Sequence, residues 1–187
     1  MPLLPNSFYA RPTLEVAHDL LGTILVHESP SGTEAGRIVE VEAYLGPEDE
    51  ASHSRFGPGG RSRIMFGPPG RVYVYLIYGM HHCMNVVTES DGVAGAVLIR
   101  AIEAGDGLTG DAKGPGLVCR ALGIDRTFNH HDLTTPPLYL KEGRPPQRVQ
   151  STPRIGVSYA GDWANRPFRF VDAESNALSR RVVIDNT

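Results

Sequence analysis

Cysteine, lysine and long apolar runs are scarce in this chain, and each scarcity excludes something. Only Cys83 and Cys119 are cysteines among 187 residues; they lie far apart and outside any C-x-x-C pair, which argues against a disulfide framework or a zinc ribbon. No stretch approaches the roughly 20 apolar residues that a membrane span needs. The opening Met1-Pro2-Leu3-Leu4-Pro5-Asn6 has no basic cluster followed by an apolar core, so a cytoplasmic protein without membrane association is expected. A positive excess is missing too: 18 Lys and Arg face 21 Asp and Glu, a net charge of -3, which as an average speaks against a phosphate-rich partner.

What is there reads as one compact domain over residues 1–187, because a chain of this length buries roughly 70% of its unfolded surface in a single core. Its 21 Gly and 15 Pro fall in short clusters between periodic segments rather than in a linker. A helix is expected from Thr13 to Leu21, with Thr13 as its cap, and a second from Gly116 to Leu122. Strand-like runs cover Thr23–His27, Arg37–Tyr44, Arg71–Ile77, His82–Thr88 and Ala94–Ile102, with a late pair at Arg154–Tyr159 and Phe168–Val171. Neighbouring hairpins with a few flanking helices make an α+β fold.

Two segments carry possible chemistry. In Arg37-Ile38-Val39-Glu40-Val41-Glu42-Ala43-Tyr44, strand alternation puts Val39, Val41 and Ala43 on one face and Ile38, Glu40, Glu42 and Tyr44 on the other. Either the glutamates face water on a half-buried strand, or a carboxylate stands beside an aromatic ring and activates a water next to a planar ligand. In the second segment, Arg71 to Asn85, the chain reverses near Tyr78-Gly79-Met80 and leaves large apolar groups at a hairpin tip. They either tuck back onto the core or act as a wedge that enters a base stack, with Tyr73 or Tyr75 as a further stacking surface. A metal site built from His53, His81, His82, His130, His131, Glu40 and Glu42 is the competing idea. Adjacent histidines on a strand point to opposite faces and no H-x-H or H-E-x-x-H spacing occurs, so no metal is expected.

The run from Arg37 to Arg55 closely resembles the active-site strand and loop of the alkyladenine (3-methyladenine) DNA glycosylases. Met65-Phe66, Tyr73 to Met80, Cys83-Met84-Asn85, Leu98 to Glu103, Gly114-Pro115-Gly116 and Arg154-Ile155-Gly156-Val157 continue the likeness in order. It is strongest over residues 8–170, leaving 171–187 as a C-terminal tail. The resemblance implies a bacterial-type, single-domain member built on a curved antiparallel β-sheet with a protruding β-hairpin and flanking helices, working without a cofactor as a monomer in the cytosol or nucleoid. It implies Glu42 as the base that activates water, with Arg100 helping to hold that water. The base pocket would comprise Tyr44 and Tyr75 as the rings that sandwich a flipped base, His53 at its edge, Asn85 disfavouring the amine of normal guanine, Leu98, and Ile155 offering a backbone carbonyl. Tyr78 would fill the gap in the duplex with Met80, Met65 and His81 at the minor groove, and Arg55, Arg61 and Arg63 would contact phosphates.

The implied activity is hydrolysis of the N-glycosidic bond of a damaged purine in double-stranded DNA, with 3-methyladenine, 7-methylguanine, hypoxanthine and ethenoadenine as the candidate bases. Stacking on electron-rich rings would favour an alkylated, cationic purine. Lys113 and Lys141 are the only lysines and lie outside these motifs, which favours a monofunctional hydrolase over a Schiff-base lyase. The alternatives are a binding-only sensor of damaged bases, which has no need of Glu42, and a metal-dependent hydrolase. The average charge also hides a pattern: residues 51–88 contain Arg55, Arg61, Arg63 and Arg71 but no Asp or Glu, enough for local phosphate binding.

Overall fold

Strand β2 (Gly32–Tyr44), at 13 residues, is long enough for one of its edges to take two neighbours in succession. In the computed structural model, which describes residues 1–183, β1 (Ile24–Ser29) turns into it and pairs antiparallel with residues 32–37. Beyond that point β8 (Arg169–Asp172) takes over the same edge at Glu40–Glu42. The opposite edge is covered from Gly36 to Tyr44 by β5 (Ala96–Ala104). The sheet continues through β4 (His81–Val87) to β3 (Val72–Ile77) on one side and through β1 to β6 (Leu138–Lys141) on the other, while β7 (Val149–Thr152) pairs with β8. This is the expected α+β class: a single domain on a curled antiparallel sheet with a few short helices.

The expected alternation along β2 breaks at its centre. Ile38 pairs with Ile102 and Glu40 with Ala101, so Val39 is an extra residue on β2; Val41 then pairs with Ile99, so Arg100 is an extra residue on β5. The two slips cancel. Ile38 therefore joins Val41 and Ala43 in the main core, whereas Val39 packs with Ala101, Val171, Ala173 and Leu178 on the other side. Bulges of this kind re-aim side chains, and here the re-aimed residue is Arg100, which reaches Glu40 and Glu42.

Helix α1 (Asn6–Tyr9) and helix α2 (Thr13–Leu20) cover the core with Tyr9, Val16, Ala17 and Leu20. Thr13 lies inside α2 rather than capping it. Pro12 holds the cap position, and Glu89 supplies the acceptor from a distant loop, its Oε1 taking the Thr13 amide at 2.6 Å and the Thr13 hydroxyl at 2.7 Å. Helix α3 (Pro115–Ala121) begins on a proline, which suits a first turn that lacks amide partners.

The expected strand at Arg154–Tyr159 is instead a turn, because Gly156 adopts φ 79, incompatible with an extended strand. Its place beside β8 is taken by β7, a polar segment with little apolar alternation. The C-terminal segment, treated above as a tail, packs through Leu178 and Ser179 onto β2, and residues 184–187 of it lie outside the described residues. No helix among the described residues is long and apolar enough to cross a membrane.

Between β3 and β4 the chain reverses over Ile77 to Met80, closed by the Met80 amide on the Ile77 carbonyl at 3.1 Å. Tyr78 at φ 52 and Gly79 at φ 69 both lie in the left-handed region, as the central pair of a type I′ turn does. A tyrosine there costs about 1–2 kcal/mol, and its side chain, 85% exposed, recovers nothing by packing. Tyr78→Asn creates the Asn-Gly pair that such turns prefer. It should raise stability by about 1 kcal/mol, seen as a thermal midpoint about 2–4 °C higher.

Candidate active site

The bulged centre of the sheet forms the floor of a cleft of about 720 Å3 between the β3–β4 hairpin and the loops after β2 and β7. Tyr44, His53, Tyr75, Asn85, Leu98, Arg100 and Ile155, each assigned to the pocket or the water site from the sequence, all line it. Glu42 does not line the cleft directly. It is fully buried just behind that wall and is addressed by three lining residues: the Tyr44 hydroxyl donates to its Oε2 at 2.8 Å, Arg100 Nη1 to the same oxygen at 3.3 Å, and the Ile155 amide to Oε1 at 2.7 Å. Thus Ile155, expected to offer its carbonyl to a water, places its N–H on the carboxylate.

Glu40 is equally buried and saturated, which rules out the reading of both glutamates as solvent-facing. Its carboxylate accepts from Arg100 Nε at 3.1 Å, Arg169 Nε at 2.8 Å, and the Ser179 amide and hydroxyl at 2.6 and 2.7 Å. Burial works to raise its pKa, but the hydrogen bonds and charge supplied by Arg169 and Ser179 outweigh burial and hold it below the usual carboxylate range. A third buried pair lies beside them. Arg154 forms a two-pronged salt bridge to Asp49 at 2.6 and 2.9 Å, donates to the Ala43 carbonyl at 2.9 Å, and places its guanidinium 4.8 Å from the centre of the Tyr44 ring. Asp49 in turn accepts the amides of Leu45 and Ala51, both at 3.0 Å, so this pair pins the loop after β2.

The aromatic side of the cleft is built by β3 and the turn at His53–Phe56. The His53 ring meets Tyr75 edge-on at 4.7 Å, and its Nδ1 pairs with the Tyr73 hydroxyl at 2.9 Å. Burial first, then the charges of Arg61 and Arg55, pull the His53 pKa down to about 4, so its ring is neutral at pH 7. Burial pushes the Tyr75 hydroxyl up, and the Cys83 thiol that it hydrogen-bonds up to about 11. Asn85 uses both amide hydrogens on main-chain carbonyls, of Tyr73 at 3.1 Å and of Cys83 at 3.3 Å, so its orientation is fixed before any ligand arrives.

At the rim, Tyr78 and Met80 project from the hairpin tip, 85% and 69% exposed, and do not fold back on the core. His81 is exposed and packs by its Cβ against Gly116 at the start of α3. Met65, expected at the minor groove, is not at the rim: it is 2% exposed, packs with Tyr73, Val87, Ala94 and Ala96, and lines the cleft from inside. Tyr73, considered above as a stacking surface, is likewise buried and instead supports His53. The three loop arginines diverge: Arg63 is exposed, Arg55 stacks between Phe56 and Tyr159 at 4.5 and 5.2 Å, and Arg61 turns into the cleft mouth.

Sequence reasoning missed Arg154, Asp49, Arg169 and Ser179. Asp49 sits in the acidic run Glu48-Asp49-Glu50, where it alone is buried, and Arg154 stood in the quoted motif Arg154-Ile155-Gly156-Val157 without a role of its own. Nothing local marks them, because the carboxylate or cation that each one meets, Asp49 for Arg154 and Glu40 for Arg169 and Ser179, is 105 to 139 positions away in the chain. Among the described residues no three His, Cys, Asp or Glu side chains are grouped to hold a metal ion.

Residues 7–176 match the family model described as methylpurine-DNA glycosylase. Three similar proteins, each named as an inferred 3-methyladenine DNA glycosylase, come from Myxococcus xanthus (50% identical, covering 96% of this chain and 95% of the relative), Anaeromyxobacter dehalogenans strain 2CP-1 (53%, 95% and 85%) and Legionella pneumophila strain Corby (48%, 96% and 100%).

Two expectations follow from the buried charges. Glu40→Ala leaves Arg100 and Arg169 short of a carboxylate and should cost about 3–5 kcal/mol, read from urea unfolding. Because His53 binds its proton more weakly folded than unfolded, stability should fall as pH drops from 6.5 to about 4. His53→Gln should flatten that slope in unfolding midpoints measured across the same interval.

Proposed function

Since the chain belongs to the methylpurine-DNA glycosylase family, we propose that it extrudes a damaged purine from double-stranded DNA and hydrolyses its N-glycosidic bond, leaving an abasic site. The observation that carries this reading is the position of Glu42: a buried carboxylate set directly behind the wall of an aromatic slot and held in direction by Tyr44, Arg100 and Ile155. A protein that only sensed damaged bases has no use for such a group.

In this mechanism the flipped purine stacks between Tyr44 and Tyr75 with His53 at its edge, each stacking contact contributing about 1–3 kcal/mol. The Tyr44 hydroxyl occupies Glu42 Oε2, so as that ring aligns with the base it shares this oxygen with the attacking water. As the bond to the purine breaks, the negative carboxylate of Glu42 stabilises the oxocarbenium-like sugar, and it then takes a proton from the water as the water oxygen bonds to C1′. The bond electrons leave with the base. No lysine lines the cleft, which supports direct hydrolysis without an enzyme-bound imine.

Extrusion leaves a gap in the duplex that something must fill. Tyr78, presented to solvent by its positive-φ turn, is the wedge, with Met80 and His81 beside it, and the exposed Arg63 can meet the backbone phosphates.

The test is release of hypoxanthine, ethenoadenine or 7-methylguanine from a duplex in the presence of a chelator. Glu42→Gln should bind the same duplex while losing excision by about 10²- to 10⁴-fold; undiminished excision would remove Glu42 from its role. Tyr78→Ala should slow single-turnover excision of a paired lesion far more than excision from single-stranded DNA, where no gap has to be filled.

A further inference from the structure

We propose that Arg61 is a specificity-determining residue that biases the base slot toward neutral damaged purines, such as hypoxanthine and ethenoadenine, and against purines made cationic by N-alkylation. The inference deepens the glycosylase reading and rests on it.

Arg61 lies in the turn Gly60–Phe66 and lines the cleft. Its Nη2 is 3.5 Å from His53 Nε2, and its guanidinium carbon is 6.0 Å from the centre of the Tyr75 ring. A base stacked on Tyr75 beside His53 therefore enters within a few ångströms of this cation. Among the described residues no carboxylate forms a salt bridge with Arg61, and the charges deeper in the site cancel: Glu40, Glu42 and Asp49 are matched by Arg100, Arg169 and Arg154. Arg55, the other cation nearby, is drawn aside by Phe56 and Tyr159. Among the described residues, Arg61 is thus the cation that lines the slot without a carboxylate partner, with Arg55 adding to its field from farther out.

The rings themselves do not restore the balance. A cationic purine gains from stacking because it meets the negative face of a ring, but both candidate rings already serve a guanidinium, Arg154 at 4.8 Å from Tyr44 and Arg61 at 6.0 Å from Tyr75. His53 reports the resulting field, since the charges of Arg61 and Arg55 add to burial in resisting a proton on its ring. A positive purine in contact with that ring meets the same field, whereas a neutral one does not.

The experiment measures single-turnover excision of hypoxanthine and of 7-methylguanine from otherwise identical duplexes by the wild-type protein, Arg61→Gln and Arg61→Lys. Removing the charge should raise the ratio of 7-methylguanine to hypoxanthine excision by about five- to tenfold. Arg61→Lys should keep the wild-type ratio, and because Arg61 is exposed, added salt should narrow the difference between wild type and Arg61→Gln. If Arg61→Gln slows both substrates by one common factor, Arg61 is a phosphate contact and the proposal is overturned; an unchanged ratio overturns it as well. Wild-type protein that releases neither of these bases, nor ethenoadenine, would instead overturn the glycosylase reading, and the specificity inference with it.

Discussion

Glu40 and Glu42 are two carboxylates buried side by side in the middle of a sheet, and unpaired each would cost several kcal/mol to desolvate. The fold answers with cations and donors drawn from every neighbouring element. The bulge on β5 turns Arg100 between the two carboxylates, β8 brings Arg169 to Glu40, and the segment after β8 returns to place Ser179 on the same oxygens. The break in register, the change of neighbour along one edge of β2 and the packing of the C-terminal segment thus meet one electrostatic requirement. Glu42 alone of the pair is left against the cleft wall, so the two neighbouring carboxylates have different surroundings, and the proposed chemistry draws on that difference.

The site grades from rigid to strained as it approaches solvent. At its base, the Arg154–Asp49 pair locks two loops around Tyr44 and so fixes the amide of Ile155 on Glu42. Fixed donors around a carboxylate lower the reorganisation needed when charge develops on a substrate. At the rim, the hairpin tip holds a tyrosine in a backbone region that disfavours it and presents its ring to solvent. Local strain of this kind persists where function selects the side chain over the fit. Arg61 lies between these extremes, an exposed cation at the entrance to an otherwise balanced pocket.

Much of the architecture was legible because hairpins write themselves locally. The runs that became β1 to β5 alternate or are uniformly apolar, and Tyr78-Gly79 marks the reversal between β3 and β4. Where the reading failed, the cause was non-local. β6 and β7 are four residues each and exist only because β1 and β8 offer them an edge. The faces of Ile38 and Val39 were exchanged because a bulge depends on the pairing of two strands and leaves no mark on either one. Met65 was placed at the groove on the strength of its motif, while its burial depends on Tyr73 and Val87 arriving from β3 and β4.

The sequence by itself determined the family, the α+β class and the pocket-lining side chains Tyr44, His53, Tyr75 and Asn85, since motif order and strand periodicity are properties of consecutive residues. Only the tertiary structure decided which charges are neutralised and which are not. A salt bridge such as Arg154 to Asp49, or Ser179 on Glu40, joins residues more than a hundred positions apart, so its existence depends on how the sheet closes. Among the described residues the same closure leaves Arg61 without a carboxylate partner at the slot, which neither the net charge nor the acid-free stretch around it contains.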